Sequence, residues 1–140
     1  MAAEKALKFE EEEVEFLRGC KQENVGIEDS DKGRRVYTYF GAENAMSNSK
    51  GRGSFSYTQK DEKYVGCWEK LGFISSNIFE DSEAILPHGL GVLRYTNEQG
   101  KKRIYAGKFS WGKFDGRGVE FDEKMNPIRR GAWDMGDFKS

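Results

Sequence analysis

Between Tyr105 and Phe121 the chain alternates with a period of two. Tyr105, Gly107 and Phe109 interleave with Ala106, Lys108 and Ser110, the pattern of a half-buried strand. Gly112–Gly116 follows as a predicted turn, and Val119 and Phe121 resume as a return strand, so this stretch is predicted to be a β-hairpin. Residues 3–18 behave differently: they hold good helix formers and no Gly or Pro, which predicts a helix. The apolar positions fit that helix poorly, since Leu7 and Val14 share a face while Phe9 and Phe16 lie nearly opposite. An extended arm using the alternation of Val14 and Phe16 is the competing reading. Residues 19–35 are predicted to be a polar linker.

The hairpin pattern recurs. Relative to Tyr105 it has Gly at +2, a ring at +4, and Gly at +7, +11 and +13. Tyr64, Gly66 and Trp68 restart it, and Gly89 and Gly91 complete it after an insertion of about residues 73–86. A degraded copy starts near Tyr39 and a half-copy starts at Arg129, with Gly131, Trp133 and Gly136. The return strands differ in phase. Phe55 and Tyr57, and then Leu93 and Tyr95, keep one register, whereas Phe121 is one residue out of it, which predicts a bulge or slip near the end. Glycine at fixed places in such a repeat permits tight turns and lets a neighbouring ring lie flat on the backbone.

Composition sharpens the division. The 140 residues include 10 Phe, 6 Tyr, 3 Trp and 17 Gly but only 2 Pro, which favours β structure with tight turns over a helical bundle. Residues 1–36 carry ten acidic and seven basic side chains and two of the rings, Phe9 and Phe16. The expected organisation is thus an acidic N-terminal segment and linker over 1–36 and a repeat domain over 37–140. The net charge of -1 gives no global basic field for nucleic acid. No apolar run approaches the roughly 20 residues that span a bilayer. The acidic start lacks the apolar stretch of a signal peptide, and two cysteines make no disulfide framework, so an intracellular setting is expected.

The repeat resembles the MORN (membrane occupation and recognition nexus) family, whose pattern runs Tyr-x-Gly-x-Trp-x-x-Gly-x-x-x-Gly-x-Gly. YAGKFSWGKFDGRG at Tyr105–Gly118 matches it with Phe109 in the Trp place, YVGCW and HGLG match in the second copy, and GAW matches in the last. The resemblance covers about residues 37–138. It implies an all-β, elongated and twisted sheet of stacked hairpins, here with a short N-terminal helix or arm. It also implies a non-catalytic scaffold in a larger assembly, cytoskeletal or ciliary, with phospholipid binding attributed to some members. Stacked repeats bury a core only with neighbours, and about three are needed.

Candidate contacts follow. Tyr64, Trp68, Tyr105, Phe109 and Trp133 form a stripe that serves either as core or as a groove for a protein partner. The insertion adds Ile78 and Phe79 as apolar contacts on a long loop. Lys101, Lys102, Arg103, Arg129 and Arg130 would supply a weak site for anionic lipid headgroups, the alternative function being a peripheral membrane adaptor. Glu10–Glu13 reads as a solvated run or as an acidic contact for a basic partner. His88, the single histidine, is expected in a turn, and Cys67 is expected as a small buried hydrophobe. No catalytic constellation, metal-ligand spacing or phosphate loop stands out, so no enzyme activity and no cofactor are expected.

Overall fold

The computed structural model describes residues 2–18, 25–30, 33–39, 50–57, 60–70 and 85–140. Within them the chain is all-β apart from one helix, α1 (Ala2–Arg18). Nine described strands follow: β1 (Val25–Ser30), β2 (Gly33–Tyr39), β3 (Lys50–Tyr57), β4 (Lys60–Lys70), β5 (Ile85–Thr96), β6 (Lys102–Ser110), β7 (Lys113–Asp122), β8 (Pro127–Asp134) and β9 (Asp137–Phe138). They form one sheet in sequence order, each antiparallel to the next. Such a meander needs no crossover, because every strand pairs with the one that precedes it.

The expected polar linker is interrupted by structure: Val25–Ser30 pairs with β2 as a strand, so the sheet begins ahead of residue 37. The first repeat copy is also displaced. Tyr37 stands opposite Phe55 as Tyr64 stands opposite Leu93, so the copy starts at Tyr37 and Tyr39 holds the place of its first glycine. The turn after β6 is Trp111–Gly112, shorter than the Gly112–Gly116 segment expected from the glycines. Ile85 and Leu86, expected in the insertion, open β5, while Ile74, Ile78 and Phe79 lie outside the described residues.

Alternation gives the sheet two apolar faces. On one, Tyr64, Trp68, Tyr105, Phe109 and Trp133 pack together, joined by Leu93, Tyr95, Phe114 and Phe138. On the other, Val92, Ile104, Ala106, Val119 and Phe121 pack against Ala3 and Ala6 of α1, with Leu7 beside them. This second layer explains the phase of the third return strand. Phe121 stays in register opposite Ile104 and faces the helix, and the irregularity lies instead where β7 meets β8, between Glu120 and Phe121.

The helix was hard to read because its buried stripe is built from small residues. Ala3 and Ala6 are buried and Ala6 has no exposed surface, whereas Val14 is 51% exposed. Alanine lets the helix axis approach the sheet closely, and Ala is also the best helix former. The helix therefore covers a face of the sheet, lying against β4 to β7.

Candidate functional site

The aromatic face is built by one local device used twice. Gly53, Gly66, Gly91, Gly107, Gly118 and Gly131 stand opposite one another across six strands. This row leaves a trough in which tyrosine rings lie. A Cβ on Gly91 would sit 2.1 Å from Tyr64 Oη, and one on Gly118 would sit 2.5 Å from Tyr105 Oη. The register shifts at Cys67 in β4 and at Lys108 in β6, each set against extra residues of the next strand, His88–Leu90 in β5 and Asp115–Arg117 in β7. The carbonyl at each shift accepts from the tyrosine three residues earlier: Cys67 O from Tyr64 Oη, and Lys108 O from Tyr105 Oη at 2.8 Å. Tyr105 also stacks on Phe114 at 3.9 Å and meets Phe109 and Trp133 edge-on.

Of the predicted partner-binding rings, Tyr64, Trp68, Tyr105, Phe109 and Trp133 are all at most 4% exposed. They are brought together as the core of the stack, and their open area is too small to dock a partner in this structure. Burial pushes the Tyr64 and Tyr105 phenols well above their ordinary value, as does burial with the Glu120 carboxylate at Tyr95. A phenol kept neutral in the fold stabilises it fully below pH 10, the ordinary phenol value. That stability is lost as pH rises through the folded value, at up to about 1.4 kcal/mol per pH unit for each such tyrosine. We therefore expect phenolate absorbance near pH 11 to reveal at least two tyrosines that ionise only as the sheet unfolds. Smooth titration of all six without unfolding would show that the trough is open.

A second device fixes the hairpin tips. In the β6–β7 turn Trp111 and Gly112 both have positive φ, 45° and 86°. Trp111 N–H donates to His88 Nδ1 at 3.1 Å, and Gly112 N–H donates to the Pro87 carbonyl at 2.8 Å. Met135 and Gly136 repeat this one hairpin later, donating to Asp115 Oδ1 at 3.3 Å and to the Phe114 carbonyl at 2.7 Å. His88 therefore lies in a strand, where it does for one tip what Asp115 does for the next. Its Nε2 lies 3.3 Å from Glu69, so both ring nitrogens have protein partners. Burial pushes the Cys67 thiol up, away from the reactive thiolate.

The opposite turns are built alike. Asn97 Oδ1 accepts from the backbone of Gln99 and Lys101, and Asp122 Oδ1 accepts from Lys124 and Asn126. The third residue after each acceptor has positive φ, which is Gly100 at 76° but Met125 at 68°. A left-handed non-glycine residue costs roughly 1–2 kcal/mol. Met125→Gly is expected to raise the unfolding free energy by about 0.5–1 kcal/mol, read from denaturant midpoints. A lower midpoint would mean that the exposed Met125 side chain makes a stabilising contact.

The predicted basic residues do not converge. Arg129 and Arg130 are neighbours on a strand and so face opposite sides of the sheet. Arg129 Nε is bound by the buried Glu120 at 2.9 Å, and Lys102 lies 3.9 Å from Asp61. The cleft of about 700 Å³ that contains Arg103 and Arg129 is lined as well by Asp61, Glu62, Glu98 and Glu120, so carboxylates outnumber cations there.

The acidic run has its partner within the chain. Glu10 takes Arg94 in a two-point pair at 2.7 and 2.9 Å, Glu12 takes Arg52 at 2.6 Å and the buried Glu13 takes Lys63 at 2.8 Å. Arg52 also lies over the Phe9 ring at 5.4 Å. No protein-family model matches the chain, and no curated protein matches it significantly.

Proposed function

We propose that the chain is a MORN-type repeat protein acting as a non-catalytic scaffold or structural subunit that binds protein partners. Its setting would be a larger intracellular assembly, with a cytoskeletal or ciliary one favoured by the resemblance. The glycine row under the tyrosines supports the repeat assignment, since it gives a physical reason for the glycine of Tyr-x-Gly and for the second glycine of Gly-x-Gly in the pattern.

The observation that carries the interaction reading is the pair of apolar tips. Trp111 and Met135 occupy equivalent turn positions on successive hairpins and are 41% and 47% exposed. Each sits at positive φ, a costly conformation for a large side chain, and each is held there by a clamp from the preceding repeat. Exposed tryptophan on a rigid tip is the residue type that dominates protein interfaces. The membrane alternative is weaker, because Arg129 is taken up by Glu120 and Arg103 shares an acid-rich cleft.

The test is purification of the tagged chain from its source cells with a salt wash, beside a Trp111→Ala, Met135→Ala variant. A large stoichiometric complex that the variant fails to join supports the reading. Recovery of the native chain as a free monomer or dimer overturns it.

A further inference from the structure

The helix-bearing face of the sheet carries cations in two groups. Arg52 on β3, Lys63 on β4 and Arg94 on β5 are bound by Glu12, Glu13 and Glu10 of α1. A second group lies past the helix: Lys108 on β6, four residues along from Ile104, the partner of Arg94, with Arg117 on β7 and Arg130 on β8. These three are exposed, and among the described residues none has an ion pair. They line a cavity of about 480 Å³ with Ala2, Ala3, Gly118, Val119 and Gly131. Its floor is apolar and small, like the part of the face on which Ala3 and Ala6 already pack.

We infer that this uncovered half of the face docks an acidic helical segment of a protein partner. The chain itself displays the chemistry that covers such a surface: a helix with an alanine stripe and glutamates one turn apart. Lys108 and Arg117 stand next to the paired Gly107 and Gly118 on adjacent strands about 4.8 Å apart, so they match carboxylates at i and i+3 or i+4 on a helix crossing them, which stand about 5–6 Å apart. Facing charges of opposite sign would set partner choice and association rate. The inference rests on the reading of the chain as a protein-binding module and names one surface and one partner chemistry for it.

The probe is the synthetic, acetylated α1 sequence, residues 2–18, added to the full-length chain, whose own α1 already occupies Arg52, Lys63 and Arg94. We expect binding at low salt that weakens at least about tenfold by 0.2 M salt. It should also weaken at least tenfold in Lys108→Glu, Arg117→Glu, Arg130→Glu. The control Lys101→Glu, Lys124→Glu, Lys139→Glu carries the same charge change elsewhere and should bind as the native chain does. Equal loss in both variants would mean a net-charge effect and overturns the site. Unchanged binding in the first variant would mean exchange with the resident helix and also overturns it. No binding of the peptide, with vesicles containing anionic phospholipid captured through these residues instead, overturns the protein partner in favour of a membrane. If the first variant still joins the cellular complex, this face is overturned while the interaction reading stands.

Discussion

Gly118→Ala is expected to cost about 3 kcal/mol or more, a large part of the 5–15 kcal/mol that stabilises a typical domain. Gly118 has no special backbone angle that only glycine tolerates, so the cost is steric. The added methyl would stand 2.5 Å from Tyr105 Oη and 2.6 Å from Cζ of the same ring. Neither side can give way easily. The ring is stacked on Phe114 and tied to the Lys108 carbonyl. The Gly118 backbone is paired with Gly107 on one side and Gly131 on the other. Gly100→Ala is the informative comparison. Gly100 has φ of 76° and open space around it, so only backbone strain of about 1 kcal/mol is expected there. Denaturant unfolding of the two variants separates the effects. Equal losses would show that the trough adapts to a methyl group and that the glycine row is a matter of backbone freedom alone.

The repeat was legible because its glycines and rings recur at fixed spacing, and the structure gives those positions one physical meaning. All-β architecture, consecutive hairpins and a short N-terminal helix follow from local patterns that short-range physics enforces. What the sequence hid depends on the second layer. Alternation shows that Val119 and Phe121 face one side, but not that a helix awaits them there. Alanines at positions 3 and 6 look neutral on any hydrophobic scale, so the buried stripe of α1 was invisible and exposed Val14 looked like its anchor. Glu10–Glu13 reads as solvated surface because its partners, Arg52, Lys63 and Arg94, are 40 to 84 positions away. The shift of the first copy to Tyr37 was hidden for a related reason. Tyr39 has a glycine two residues on and Tyr37 does not, so the motif points to Tyr39, and only pairing with β3 sets the start at Tyr37. The tips were missed because Trp111 and Met135 lie between motif glycines, where no rule marks a residue as exposed.

Ala6→Glu is expected to detach the helix from the sheet, lowering the unfolding free energy by about 3 kcal/mol or more. Ala6 has no exposed surface and belongs to the cluster of Val92, Ile104, Ala106, Val119 and Phe121. A carboxylate placed there would be buried without a partner, and the cheapest relief is for α1 to leave. The sheet would then expose that apolar row, so dye binding to hydrophobic surface should rise and amide exchange should accelerate in β5 to β7. The ion pairs have a smaller role. Exposed pairs contribute about 0.2–1 kcal/mol each, which applies to Glu10–Arg94 and Glu12–Arg52, whereas Glu13 is buried beside Lys63. Apolar docking therefore supplies most of the attachment, while the carboxylates fix which way the helix lies across the strands. Reversing Glu10 and Glu12 to Lys should weaken docking less than Ala6→Glu does. Adding Arg94→Glu and Arg52→Glu to that reversal should recover most of the loss. If Ala6→Glu leaves helix content and melting temperature unchanged, α1 does not depend on the sheet. If the double reversal recovers nothing, these two pairs do not set its orientation.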